Sequence, residues 1–367
     1  MAATTVPRNR LPRQVAPPVD TPPIPQERNF VDFCKCIRAR NADRLQDIYD
    51  SRYVSWQVSK ASLDETSGGV GGYLVPPDFS ARFFRDFSEA SIIYPRADVV
   101  RMSTLEQRLP IPNVTTAPAS GVPPWYGGMS FSWSNANAFA ETEPAVNETS
   151  LKSWSLVGYA VQSNQFWSDL SPDGEERLLK LFAAAAAWKT EWSFLQGTGA
   201  DGQMPLGILN APGTLLVTRK TSNQVNTQDV ANMAGSLLPS GWKNAIWCCS
   251  PTALKQIVQL STSYFINDGG GGRDDGSAGT LITRPLFVTD KLPALGSTGD
   301  LIFFDPTLYA IGDRMQVAID ISDQTTGFAS AQVNVRIWLR LDGKPIFGNT
   351  MTLSDTTTSV AGYVALH

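Results

Sequence analysis

Residues 171–197 read SPDGEERLLKLFAAAAAWKTEWSFLQG. Ser171 can cap a helix, Pro172 suits its first position, and Asp173, Glu175 and Glu176 fall at the positive end of the helix dipole. Leu178, Leu181, Phe182, Ala185, Trp188, Trp192 and Leu195 then recur at three-and-four spacing, with five alanines in succession, until Gly197 stops the pattern. A helix of about 25 residues is about 38 Å long. Its smooth alanine face predicts a spine against which a sheet packs.

Upstream of the spine, 102–161 is extended and turn-rich. It holds Leu109-Pro110-Ile111-Pro112, a Gly/Pro tip at 121–128, the alternation SFSWS at 130–134 and a second alternation, SLVGYAV, at 155–161. Two extended limbs joined by a proline-broken tip predict a projecting hairpin, since such prolines belong on edges. Downstream, 207–300 reads as α/β. The run 227–237 is helical, AIWCC at 245–249 is a buried strand, Pro251 opens a helix through Leu260, and 286–288 and 301–304 are short strands. A closing hairpin follows, with Val317, Ile319 and Ile321 alternating on one arm and Val333, Val335, Ile337, Leu339 and Leu341 on the other.

The N-terminal region differs in kind. Residues 1–25 contain seven prolines, three arginines (Arg8, Arg10, Arg13) and one acid, a composition that suits an extended arm ordered only against something else. Phe30, Phe33, Cys34, Ile37, Leu45 and Ile48 then approximate an amphipathic helix, and TSGGVGG at 66–72 is a flexible joint before YLVPP at 73–77 restarts extended structure. Through Lys60 there are 10 basic and 6 acidic residues, a net of +4. The whole chain has 30 basic and 34 acidic groups, so the remainder carries 20 minus 28, or −8.

Composition excludes much chemistry. The single histidine is His367, at the end of the sequence, where fraying is the ordinary expectation, so Ser-His-Asp and Cys-His relays and histidine-rich zinc sites are not expected. Cys34, Cys36, Cys248 and Cys249 lack the spacing of a zinc knuckle, and close pairs of this kind rarely form framework disulfides. No run approaches the ~20 apolar residues of a membrane span, and MAATTVPRNRLPRQ is not a secretory signal. The charged fraction of 17% is low against about 25% for soluble domains. With 10 Trp, 17 Phe and 9 Tyr it suits a surface largely hidden against copies of itself, although the same aromatics could fill one large core.

Sites that invite a chemical reading have plainer ones beside them. NDGGGGRDDGS at 267–277 lacks the Gly-Lys-Ser/Thr of a phosphate loop, and its Asp268, Asp274 and Asp275 miss the spacing of a calcium loop. Glu141 and Glu143 resemble an acid–base pair but lie on the extended hairpin, where subunit contact is the better reading. Trp125 and Trp133 could stack on sugars or bases, yet no Arg or Lys interleaves them, so they too are subunit-contact candidates, together with Asp274 and Asp275. Arg8, Arg10 and Arg13 could face phosphates or a partner protein. No catalytic, metal or cofactor residue is expected.

Taken in order, SGGVGGYLVP (67–76), FAETE (139–143), FLQGTG (194–199), MPLGIL (204–209), WCCSP (247–251), RPLFV (284–288) and DRM (313–315) resemble the major capsid protein of tailed bacteriophages, the HK-ninety-seven type fold. The resemblance covers about 27–350. It implies an α+β chain in four parts. These are an N-terminal arm and amphipathic helix (1–66), an extended β-hairpin loop (104–158), a peripheral domain with the long spine helix (67–103, 159–205, 305–345) and an axial α/β domain (206–304, 346–367). It further implies hexamers and pentamers closing into an icosahedral shell round double-stranded DNA, with portal, scaffolding and decoration proteins as partners, assembly in the host cytoplasm, and no membrane or cofactor. Some members weld subunits through a Lys–Asn isopeptide bond assisted by Glu. The Asn and Glu positions fall here at Ala331 and Trp338 and the loop position near Glu143, so no such weld is expected. The region before the Gly-rich joint is short for a built-in scaffold, which implies that it is retained and that a separate protein scaffolds assembly. Within the same fold the alternative is an encapsulin-type nanocompartment; from another class it is an aromatic-rich β enzyme or carbohydrate-binding protein.

Overall fold

The computed structural model describes residues 73–74, 77–112, 146–169, 172–199, 204–261, 264–266, 276–322, 332–353, 355 and 357–367, all within the unit 62–367. The predicted arm and its helix lie outside the described residues, as does most of the Gly-rich run 267–277. So do Arg8, Arg10, Arg13, Trp125, Trp133, Glu141, Glu143, Asp274, Asp275 and Ala331.

In chain order the elements are β1 (Tyr73–Leu74), α1 (Pro77–Glu89), β2 (Asp98–Arg101), β3 (Glu106–Pro112), β4 (Val146–Lys152), β5 (Trp154–Ser163), α2 (Asn164–Asp169) and α3 (Pro172–Gln196). There follow β6 (Thr214–Val217), α4 (Thr227–Gly235), β7 (Ile246–Cys249), α5 (Pro251–Ile257), β8 (Phe265–Ile266), β9 (Gly279–Leu281), β10 (Arg284–Val288) and β11 (Leu301–Phe304). The last are β12 (Tyr309–Ser322), β13 (Gln332–Pro345), β14 (Met351–Thr352), β15 (Ser359–Val360) and β16 (Tyr363–Leu366).

The first sheet runs β1-β12-β13-β5, with β2 also on β12. The two arms expected for its closing hairpin pair antiparallel, with Ile319 opposite Ile337 and Ile321 opposite Val335. Both arms are longer than the alternation suggests. Register shifts between Asp313 and Met315 and between Met315 and Ala318 break the period of two, which is why only the stretch from Val317 reads as a strand in the sequence. Val333, Val335, Ile337, Leu339 and Leu341 all point inward. The spine α3 has its predicted bounds and buries Leu178, Leu179, Ala183, Ala187, Phe194 and Leu195. It does not bury the whole predicted stripe: Leu181 is 64% exposed and Trp188 42%. Part of its inner face meets α1, whose Phe83 and Phe87 are buried, Phe87 lying edge-on to Tyr94 at 5.1 Å. Pro77 at the first position and apolar residues four apart favour this helix, in place of the extended structure expected to restart at YLVPP.

The second sheet has the order β6-β16-β11-β7-β10-β9-β8. Its central strands β7, β11 and β16 are buried along their full length, as continuous apolar runs covered on both faces must be. Trp247 stacks on Phe303 at 4.0 Å, and Trp242 meets that ring edge-on. Ser250 caps α5 by accepting from the Ala253 N–H, and the helix ends at Ile257 instead of running to Leu260. The expectation of a frayed histidine is corrected: β16 lies between β6 and β11, His367 N donates to Val217 O, and Thr298 Oγ1 lies 2.6 Å from His367 Nδ1.

The stretch 102–161, read above as one hairpin, divides in two. β3 and β4 pair from Glu106–Lys152 to Pro112–Val146, whereas β5 leaves that ribbon and pairs along ten residues with β13. The cause is its company: β13 offers a long buried apolar face to match, and β3 does not.

Two of the sequence segments that carry the resemblance meet at the end of the spine. Gly207 N donates to Gly197 O at 2.8 Å, Leu206 N to Gly343 O at 2.9 Å, and Tyr309 Oη to Leu206 O at 2.8 Å. A side chain at Gly207 would put its Cβ 2.7 Å from Leu195 O, and one at Gly197 would collide with the carbonyls of Ser193 and Pro205. FLQGTG and MPLGIL therefore need glycine because two backbones cross there with no room between them.

Candidate assembly surfaces

Among the described residues no group of three or more His, Cys, Asp or Glu side chains could hold a metal, and no helix is long and apolar enough to cross a membrane. Cys248 and Cys249 are buried free thiols; burial pushes Cys249 up to about 12 and Cys248 well above its ordinary value. Both stay protonated at neutral pH, which removes them as nucleophiles. Two deeply buried carboxylates, Glu191 and Asp342, serve joints between elements instead.

The first joint is centred on Glu191, 1% exposed near the end of α3. One carboxylate oxygen accepts from Ile92 N at 2.7 Å and Ile93 N at 3.3 Å; the other accepts from Lys291 Nζ at 2.6 Å. Trp188 Nε1 donates to Asp290 Oδ2 at 2.9 Å, Gln196 Nε2 donates to Lys291 O, and the Arg96 guanidinium lies 4.6 Å from the Phe287 ring. One carboxylate thus ties the spine, the loop after α1 and the loop after β10. None of this was legible in the sequence, where Glu191 and Lys291 stand 100 residues apart.

The second joint is the root of the β3–β4 ribbon. Met102, Leu151 and Ala310 form a small buried cluster with Leu109 and Ile346 beside it. Asp342, fully buried, accepts from Lys152 N at 2.7 Å and Gly343 N at 2.8 Å, while Lys344 Nζ donates to Ser150 O at 2.6 Å. Burial raises the Asp342 carboxyl from 3.8 to about 6, outweighing those donors and the nearby lysines. A pKa raised on folding contributes stability that is complete below about 3.8 and is lost as pH rises through about 6. That difference is worth about 3 kcal/mol. Asp342→Asn is therefore expected to flatten the stability curve between pH 4 and 6.5. Urea midpoints at 0.5-unit pH intervals would check this, and an unchanged slope would count against it.

The third feature is an outward-facing edge. Among the described residues nothing pairs on the far side of β5. Gly158 and Ala160 share a face with buried Ile337 and Val335 opposite them, leaving Val157, Tyr159 and Val161 52%, 63% and 47% exposed on the other face. Between β5, β13 and α3 lies an apolar groove of about 350 Å³, bordered by Leu156, Leu181, Phe182, Ala185 and Leu339. A two-stranded ribbon with an exposed face, an uncovered strand edge and an open apolar groove belong to a subunit completed by neighbours.

That is the architecture of a shell-building protein. The chain belongs to the phage capsid family, whose family model matches residues 71–350. Among solved structures it is similar to the capsid of a native GTA particle (TM-score 0.54, 14% identity, 86% of this chain and 97% of that one). It is likewise similar to the capsid of an empty GTA particle (0.55, 15%, 83% and 94%) and to a chain of Microbacterium phage Oxtober96 (0.51, 11%, 86% and 98%). At such identities the likeness is one of fold. No curated protein matches by sequence. The residues singled out in the sequence as subunit contacts or as an arm facing DNA lie outside the described residues; β5, Glu191, Lys291 and Asp342 were not among them.

Proposed function

We propose that this is the major capsid (head) protein of a tailed phage, assembling as hexamers and pentamers into an icosahedral shell round double-stranded DNA. The first sheet with the spine is its peripheral domain, the second sheet its axial domain, and 104–158 its extended loop. Arg8, Arg10 and Arg13 on the basic N-terminal region face packaged DNA or a partner through non-specific phosphate contacts, while the acidic remainder keeps the shell soluble. Trp125, Trp133, Glu141, Glu143, Asp274 and Asp275 serve contacts between copies. Portal, scaffolding and decoration proteins are its other partners, it acts in the virion after assembly in the host cytoplasm, and it carries no catalytic step.

One observation carries this reading. The β3–β4 ribbon buries Ile111 and Leu151 but leaves Val146, Asn147 and Glu148 exposed at the end away from its root. A two-stranded ribbon of this kind is marginal alone, and neighbours in a closed shell can cover it through many modest contacts that add by avidity. Expression with the neighbouring gene products, followed by negative-stain microscopy and nuclease digestion, tests it. The expected result is closed particles holding nuclease-protected DNA. Particles without DNA would favour a nanocompartment shell, and a monomer under all conditions would end the shell reading.

A further inference from the structure

We propose that β5 is a twofold contact: two copies of the chain pair antiparallel along Ser155–Ser163, with Tyr159 opposite Tyr159 of the second copy. The inference goes beyond the shell reading, which requires no particular strand to meet itself.

The strand is made for its own reverse. From residue 155 to 163 it reads SLVGYAVQS, and about Tyr159 the sequence nearly mirrors itself. Antiparallel pairing on that centre sets Ser155 against Ser163, Val157 against Val161 and Gly158 against Ala160. Only Leu156 against Gln162 is mismatched in chemistry. Such self-complementarity is what an isologous interface demands, because each pair occurs twice about the axis.

Charge allows the pairing. No charged residue stands between Trp154 and Ser163, so the axis brings no like charges together. The nearest cation opposite Tyr159 is Arg336, already held by Asp320 with Nε–Oδ2 at 2.8 Å. Edge strands that must stay alone carry a lysine, a proline or a bulge. β5 has none of these and keeps ten consecutive pairs with β13 in unbroken register.

Geometry extends the match. A twofold normal to the sheet would join the two first sheets into one, placing both α3 helices on the same face. The apolar grooves would then adjoin across the axis, with exposed Leu181 of each copy beside them. On the opposite face Val157, Tyr159 and Val161 of both copies would cover one another, with Trp338 next to Val157. A ten-residue edge falls short of the roughly 1,600 Å² of a standard stable interface, so the contact is made in assemblies and not by free dimers.

Cysteine trapping tests the register. In a Cys34→Ser/Cys36→Ser background, Cys248 and Cys249 are the remaining thiols and are buried. Assembled full-length Tyr159→Cys, oxidised with copper phenanthroline, is expected to run mainly as a covalent dimer on non-reducing gels. Val157→Cys is expected to yield roughly tenfold less, since its two copies would stand about 13 Å apart along the strands, beyond disulfide reach. The Val157→Cys/Val161→Cys double variant should restore dimer. Absence of the 159–159 dimer in intact particles, or equal yields from Val157→Cys and Tyr159→Cys, would sink the twofold and assign the edge to another segment, leaving the shell reading untouched. Dimer without any closed particle would do the reverse.

Discussion

Lys291→Met is expected to lower stability by about 3–5 kcal/mol, because it strips the counter-charge from a carboxylate that stays buried. Glu191 would keep its two backbone donors, Ile92 N and Ile93 N, but those are neutral and cannot replace an ammonium at 2.6 Å. The side chains of Lys291 and Glu191 are 10% and 1% exposed, so solvent screening offers little relief. The double variant Glu191→Gln/Lys291→Met removes both charges and is expected to recover most of the loss, as buried ion pairs replaced whole often do. Urea unfolding of wild type, both single variants and the double at one fixed subunit concentration closes the cycle. A cost for the double equal to the sum of the two single costs would show that no coupling exists across the joint.

Trp247→Ala is expected to cost a similar amount, about 3–5 kcal/mol, through a different cause. The ring is wholly buried on the middle strand of β11-β7-β10 and stacks on Phe303, so truncation leaves a void that strands bonded on both sides cannot close. Among the described residues its Nε1 finds no hydrogen-bond partner, so packing holds it. Trp247→Phe, which removes that unsatisfied donor along with some volume, is expected to cost less than about 1.5 kcal/mol. Leu181→Ala, at 64% exposure, should be near neutral in the unassembled subunit. Thermal unfolding of the three variants ranks them, and a Leu181→Ala loss equal to that of Trp247→Ala would contradict the burial assigned to each.

The sequence made legible those elements whose own residues repeat with a clear period. The spine from Pro172 to Gln196 is one: caps, first-turn acids and terminal glycine agree with its apolar spacing. β7 and β11 are others, since an unbroken apolar run of four is buried on both faces. What stayed hidden depends on distant partners. Glu191 and Asp342 look like any surface acids until Lys291 and Lys152 arrive from 100 and 190 residues away. In β5 the alternation identified a strand without telling which face turns in. Gly158 and Ala160 face the groove beside α3, and the larger Val157, Tyr159 and Val161 look outward, the reverse of a strand finished within its own subunit. The subunit-contact candidates chosen from the sequence, Trp125, Trp133, Glu141 and Glu143 among them, were picked for bulk and charge on a projecting loop. Among the described residues the far edge of β5 is left unpaired, a feature that shows only once the fold sets it at the end of its sheet.

The place of β16 sets a clock. Among the described residues β6 pairs with no strand but β16, and β11 has it as one of its two neighbours, so 214–217 wait for 363–366 as their strand partner. A nascent chain that has already released the spine and the closing hairpin still lacks a finished second sheet. Synthesis therefore orders events: closing the sheet across some 150 residues of intervening chain is a late, non-local step, and no subunit has both its sheets complete before that strand arrives.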